Sequence, residues 1–463
     1  MGKPQGPGPA VRPVGQDHRA TPFELLFDLV YVFAATQITA YLAHEHSPYG
    51  VLQGLLILAL LWGTWSGYTW LGNHSRADEG LIRAGMAGAM AAMFVVALAI
   101  PEAWRDAPGG LPGPVVLVCA YFLVRWVHLA VYAVAATGDA GLRQQIVITW
   151  FPLLAGAALL LFGALLGGWA QALLFAVALL VDWAGIYLTA KRGAWRLHSP
   201  THLTERHGLF IILALGESTV AIGVGAAGQP IGVPLVSVAV LGVGTAVCLW
   251  WLYFDAVAPA ARRRLVEAHG AARVSLAVDA YTYGHFPLVA GIVLTALGVE
   301  GVVAHVGEGG PLGAFYALSL FGGAALYLAG HLLFERLVHR TTSLPRLVAA
   351  GVLVAAGPAA AALAPLVGLA GLVAVLIVLI VVETRQPRRN SRPTTPPVEA
   401  TARTFGTGTV EDLAGNREDR DGKADFCSTL LNKCELRNDG ATIPAASSIP
   451  STGEGGDGRS GAQ

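Results

Sequence analysis

Phe-Glu-Leu-Leu-Phe-Asp-Leu-Val-Tyr-Val-Phe, residues 23–33, is an apolar run interrupted by two carboxylates one helical turn apart, Glu24 and Asp28. It opens the first of a series of apolar segments, each long enough as a helix to cross a hydrocarbon core of roughly 30 Å. Hydrocarbon penalises an ionised side chain unless a partner or water accompanies it. Glu24 and Asp28 therefore point to a polar site inside a membrane bundle.

Working outward, 54% of the 463 residues are apolar and 13% charged. Such a chain reads as an all-α, polytopic membrane helix bundle. About twelve spans are expected: residues 23–43, 51–71, 81–100, 115–136, 145–166, 169–190, 208–227, 231–257, 277–299, 312–333, 347–364 and 366–382. Lys and Arg test this count, because short cytoplasmic loops retain positive charge. Alternate loops carry Arg76 and Arg83, Arg143, Lys191 to Arg206, Arg262 to Arg273, Arg336 to Arg346, and Arg385 to Arg392, while the intervening loops hold only Arg105. The alternation never reverses phase, which places both termini in the cytoplasm. The expected organisation is a cytoplasmic arm (1–21), the bundle (22–385) and a tail (386–463). The tail's Pro, Thr, Ser, Gly and Asp cannot bury enough apolar surface to offset ordering entropy, so it is expected to be disordered.

The zero net charge carries no argument for nucleic acid, which is not an expected partner. Cys119 and Cys248 fall in spans and Cys427 and Cys434 in the tail, giving neither a disulfide framework nor a zinc spacing. His44-Glu45-His46 lacks the His-Glu-x-x-His register, and His198, His202 and His207 form only a loose set. No Walker loop, dinucleotide fingerprint or serine elbow is present. No metal or cofactor is expected, and ATP-driven transport is disfavoured.

Position within a span gives depth. Glu217 falls roughly 13 Å from the cytoplasmic edge and Arg125 roughly 15 Å from the outer edge, so the two are expected to meet near the midplane. Asp28, Asp182 and His128 form a second layer roughly 8 to 11 Å deep. Arg125 cannot escape burial by losing its proton, so a carboxylate must face it, and Glu217 or Asp28 is the expected partner. The candidate binding or coupling residues are Asp28, Glu217, Arg125, His128 and Asp182, with Glu24 and His285. Structural alternatives stand beside them: helix-dipole compensation by Glu24, a simple Arg125 clamp, and an interhelical hydrogen bond at His285. Asp255, His331 and Glu335 are expected at the cytoplasmic boundary.

Phe-Glu-Leu-Leu-Phe-Asp-Leu-Val-Tyr-Val-Phe-Ala (23–34) and Glu-Arg-His-Gly-Leu-Phe-Ile-Ile-Leu-Ala-Leu-Gly-Glu (205–217) resemble the bacterial low temperature requirement A proteins. Trp-Trp-Leu-Tyr-Phe-Asp (250–255) and Tyr-Thr-Tyr-Gly-His (281–285) are similar to further segments of that family, and the likeness spans roughly residues 17–385. The resemblance implies a multi-pass protein of the bacterial plasma membrane. It supplies no substrate.

Two parallel six-helix repeats, 22–190 and 205–385, are suggested by a carboxylate in the first span of each (Asp28, Glu217), aromatic clusters in the second and a histidine in the fourth (His128, His331). Together these features favour an ion- or proton-coupled secondary transporter of unknown substrate. An ion channel, or an intramembrane enzyme acting on a lipid or small apolar substrate, is the alternative. The expected partners are the bilayer, a proton or small ion and a small molecule. Small residues such as Ala84 and Gly88 suit close packing within the bundle or across a homodimer.

Overall fold

Thr21 starts the bundle. Its hydroxyl accepts from the Glu24 backbone N–H at 3.3 Å while the Glu24 carboxylate accepts from the Thr21 N–H at 2.9 Å. This reciprocal cap, with Pro22 in the first turn, fixes where the chain becomes helical. Ser47-Pro48 and Ser199-Pro200 repeat the arrangement, with Ser47 capping Gly50 and Ser199 capping His202. Asp139 caps Leu142 in the same way.

The computed structural model describes residues 14–15, 18–190, 195–307 and 309–385. The expected disordered tail at 386–463 and most of the arm lie outside the described residues. The helices are α1 (Pro22–His44), α2 (Pro48–His74), α3 (Gly80–Glu102), α4 (Gly113–Ala135), α5 (Ala140–Leu166), α6 (Gly168–Ala190), α7 (Pro200–Gly225), α8 (Val233–Glu267), α9 (Gly270–His305), α10 (Ala314–His339), α11 (Leu344–Ala360) and α12 (Pro365–Arg385). No strand occurs among the described residues.

Eleven of these are long and apolar enough to cross a membrane, and α11 is a shorter apolar helix. Its 17 residues reach about 26 Å, at the lower limit for a span. Twelve helices thus stand where twelve spans were expected.

Three of them outrun an expected bound by seven residues or more. α7 begins at Pro200, eight residues before the expected Gly208. α8 continues past Val257 through Ala258–Glu267, and α9 begins seven residues early, at Gly270. The α8 extension is arginine-rich yet folds because Ala261 and Leu265 form an apolar stripe, packed in one cluster with Val274, Val278 and Phe334. Each long helix contains a π-helical stretch, Tyr253–Val257 in α8 and Ala277–Tyr283 in α9.

α2 and α9 are the central helices: 78% of the apolar window of each is buried, against 33% for α5 and α6. On α5 and α6, Phe151, Leu154, Leu165, Leu173 and Leu180 point outward, as a lipid-facing surface requires. In residues 22–190, α1 packs on α2 and α3, α3 on α4, α4 on α5 and α5 on α6, while α2 closes on α4 and α6. In residues 200–385, α7 packs on α8 and α9, α9 on α10, α10 on α11 and α11 on α12, while α8 closes on α10 and α12. The same order of neighbours therefore occurs twice. α1 and α7 touch each other directly.

The tightest helix pair is α9 against α10. A Cβ added at Gly291, Gly298 or Gly323 would lie 2.5 Å from backbone atoms of Tyr327, Leu320 or Thr295 respectively. Only glycine admits such an approach, the small-residue packing that joins helices where lipid gives no hydrophobic drive.

Candidate functional site

Asp28 and Glu24 lie on α1 beside the start of α7, and both are fully buried. Their cationic partner is Arg206. One guanidinium nitrogen, Nη1, donates to Asp28 Oδ2 at 2.7 Å and to the Glu24 carbonyl at 2.9 Å. Trp65 of α2 donates Nε1–H to Asp28 Oδ1 at 2.8 Å, and its ring lies beneath the guanidinium at 5.7 Å. Glu24 Oε1 meets His202 Nε2 at 2.8 Å and Arg206 Nε at 3.8 Å. Glu24 does stand in the first turn of α1, as dipole compensation requires, but its carboxylate is sealed between α1 and α7 and does not reach water.

Hydropathy alone makes Arg206 a loop charge. The polar stretch Thr-His-Leu-Thr-Glu-Arg-His depresses the apolar signal, which delays the expected span to Gly208. The helix-start signal Ser199-Pro200 is visible in the sequence and places Arg206 two turns inside α7.

The same misplacement overturns the expected partner of Arg125. Arg125 Nη2 pairs with Asp182 Oδ1 at 2.7 Å, and not with Glu217 or Asp28. Starting α7 eight residues earlier moves Glu217 along its helix by about 12 Å relative to the assumed origin. Glu217 therefore lies farther from the α7 start than expected, on the α1 contact, and α6 supplies the acid instead. Arg125 Nε, Asp182 Oδ2 and both ring nitrogens of His128 are buried with no hydrogen-bond partner among the described residues.

Glu217 is buried against α1, where Thr36 donates its hydroxyl to Oε2 at 2.6 Å and Thr39 stands alongside. Glu300 of α9 lies close enough for the two carboxylates to repel. Among the described residues no Lys, Arg or His pairs with Glu217.

His285 follows the π-helical stretch of α9 and is fully buried. Its Nδ1 faces the Ala280 carbonyl at 3.0 Å and its Nε2 faces the Tyr253 hydroxyl at 2.9 Å. The carbonyl requires a proton on Nδ1, so Nε2 accepts from Tyr253, linking α9 to α8. That is the interhelical bond weighed from sequence. His207 packs edge-on against His285, Tyr281, Trp62 and Trp65.

His331 is also fully buried. It accepts from Arg346 Nη1 at 2.9 Å. Arg346 in turn grips Glu383 of α12 through Nε at 2.7 Å and Nη2 at 2.9 Å, and meets Glu335 at 2.9 Å. Hydropathy assigns Arg346 to a loop, whereas it is a buried knot joining α10, α11 and α12.

Outside the helices, His18 stacks on His202 at 4.9 Å. Burial first, then the neighbouring His202, holds its pKa below the usual histidine value. Burial and Arg196 lower His198 likewise, and the Leu142 N–H stabilises ionised Asp139. Asn73 bridges the approach to α7, donating to the Ser199 carbonyl at 2.6 Å and accepting from His198 N at 2.9 Å. His18, Glu24 and His202 bring potential metal-ligating atoms within 4.8 Å of one another. Both Glu24 oxygens are already used, by Thr21 and by His202.

These features define a class: a polytopic helical membrane protein in which the starts of α1 and α7 are joined by a buried carboxylate–guanidinium network, with further titratable groups inside the bundle. Residues 19–381 match the family described as bacterial low temperature requirement A protein (LtrA), and the chain belongs to that family. It is 29% identical over 333 residues to an uncharacterized protein of Rhizobium meliloti (strain 1021), covering 68% of this chain and 77% of that protein. No solved structure matches.

Proposed function

We propose that this bacterial membrane protein is a proton- or ion-coupled secondary transporter whose coupling group is Glu217. The observation that carries the reading is a carboxylate buried inside the bundle, held by the Thr36 hydroxyl and facing Glu300, with no cation paired to it among the described residues. An uncompensated anion is costly at membrane depth, so such a group takes up a proton or a small cation. Glu217 also sits on the contact between α1 and α7, the first helices of the two similarly packed halves. Loading and unloading it changes the charge on the surface across which the halves would rock. We read those halves as parallel repeats and the arginine-rich end as cytoplasmic, with both termini there.

Asp28 has a different part in this proposal. Paired to Arg206 and Trp65, it anchors the end about which α1 and α7 pivot. Arg125, His128 and Asp182 line the route of the cargo, and His285 stiffens the π-helical segment beside it.

Purified protein in sealed liposomes tests the reading. A pH-sensitive dye inside should report proton movement driven by a pH gradient or a voltage, and Glu217→Gln should reduce the rate at least tenfold without altering the melting temperature by more than a few degrees. Folded protein that moves no proton or counter-ion under either force sinks the proposal. Unitary currents in a planar bilayer would replace the carrier with a channel.

A further inference from the structure

Between α2, α4, α6 and α9 lies a hollow of about 60 Å³, walled by Trp70, Tyr132, Trp183 and Tyr283. Its polar lining includes Arg125, His128, Ser66 and Thr149, each more than nine-tenths buried. Arg125 Nε, both His128 ring nitrogens and Ser66 Oγ have no hydrogen-bond partner among the described residues. Leaving buried donors unanswered costs free energy, and so many in one small space is unusual. The wall on the α9 side is Val278, Thr282 and Tyr283, from the π-helical stretch Ala277–Tyr283. Irregular backbone at membrane depth is tolerated where it lines a cavity.

We infer that this hollow is a binding site for a short-chain organic anion, whose carboxylate meets Arg125 and His128 and whose apolar body lies among the aromatic rings. The guanidinium bonds Asp182 through a single nitrogen, Nη2, so its Nε–H remains available. Arg125 Nε–H is an unanswered donor, His128 and Ser66 Oγ each offer a donor beside an acceptor, and Asp182 Oδ2 is an unanswered acceptor, so the head that fits is one to which Arg125, His128 and Ser66 can donate together. A volume of about 60 Å³ takes roughly two waters at about 30 Å³ each, which suits the carboxylate head, with the short chain running from it towards the mouth of the hollow. The mouth, at Ala190, Trp195 and Val278, is shared with a wider vestibule of about 570 Å³ that carries Arg196 and Arg273 against one carboxylate, Asp279. Anions are thus drawn in from the arginine-rich end.

The inference rests on the carrier reading and names its cargo. Its test is binding, which is read without flux. Butyrate, butyramide and butylamine are close to isosteric and differ in the charge of the head. Calorimetric titration of purified protein in nanodiscs should show saturable binding of butyrate, at least tenfold weaker binding of butyramide and none of butylamine. Arg125→Gln with Asp182→Asn removes both charges together and should abolish butyrate binding, whereas Arg19→Ala, at an exposed side chain that does not line the hollow, should retain it. If that double variant does not fold, Gly63→Leu decides, because Gly63 lines the hollow and a Cβ there meets only Trp183 Nε1 at 3.4 Å. Loss of binding in folded Gly63→Leu supports the site. Equal affinity for all three probes, preference for the amine, no binding by folded wild type, or unchanged binding in either filled or discharged variant overturns it. Absent binding with intact Glu217-dependent flux would remove the cargo alone, and binding without flux would remove the carrier alone.

Discussion

Arg206 holds two buried carboxylates with one guanidinium, and that ratio sets what its loss should do. Replacing one member of a buried ion pair strands the other charge, typically at a cost of about 3–5 kcal/mol. Arg206→Met should lower unfolding stability in detergent micelles by that amount, and Asp28→Asn by less, since Asn can still accept from Trp65. Arg19 offers the contrast: it lies 3.7 Å from Glu205 with a largely exposed side chain, so Arg19→Ala should change stability by less than about 1 kcal/mol. Equal effects of Arg206→Met and Arg19→Ala would show that the buried network is not holding α1 to α7. His18 supplies a pH dependence. Its pKa is lowered on folding by burial and by His202, with Arg76 lowering it further and Glu24 and Asp78 opposing. A depressed histidine favours the fold while neutral, so its contribution is complete above the usual value near 6.5 and is lost as pH falls through the lowered one. Between pH 7.5 and 5 the melting temperature of wild type should therefore fall further than that of His18→Gln; parallel falls would remove His18 from the account.

At the scale of elements, the spans were legible because hydropathy and length constrain a membrane helix strongly. Their starts were less so. Pro200–His207 is polar and reads as loop, yet it folds as α7 because its polar groups find partners on α1 and α2: Arg206 on Asp28, His202 on Glu24, and Asn73 on the Ser199 carbonyl. Partner choice depends on three dimensions, and a single misplaced start was enough to send Arg125 to the wrong acid. Asp28, Glu217, Arg125 and Asp182 were found because charge inside an apolar run stands out. Arg206 and Arg346 were missed because both occur next to loops rich in positive charge. The α9–α10 contact was not legible at all, since glycine in a span has no hydropathic signature. Its consequence is testable. Gly298→Leu must displace the Leu320 backbone, which a Cβ would approach to 2.5 Å, and overpacking of this kind costs at least about 1–3 kcal/mol. Gly88→Leu, on α3 with open space around it, should be tolerated. Comparing the yield of monodisperse protein for the two variants separates a packing requirement from a general intolerance of bulk.

Arg105 apart, the arginines of the described loops fall in alternate connections, and the order in which helices pack is the same in 22–190 and 200–385. The proposed parallel repeats of six helices each would enter the membrane in the same direction, and on that proposal the α2–α3, α4–α5 and α10–α11 connections share one side, with the α3–α4 and α7–α8 connections on the other. With the four native cysteines replaced, single cysteines report this directly. Asp78→Cys, Gly138→Cys and Thr341→Cys, one in each connection of the first set, should react with a membrane-impermeant maleimide only after cells are opened. Ala107→Cys and Gly228→Cys should react in intact cells. The reverse pattern would turn the anion vestibule at Arg196 and Arg273 outward and make the protein a candidate for uptake from that face. A mixed pattern within one half would break the parallel repeat, because one six-helix unit could then not be superposed on the next without crossing the membrane.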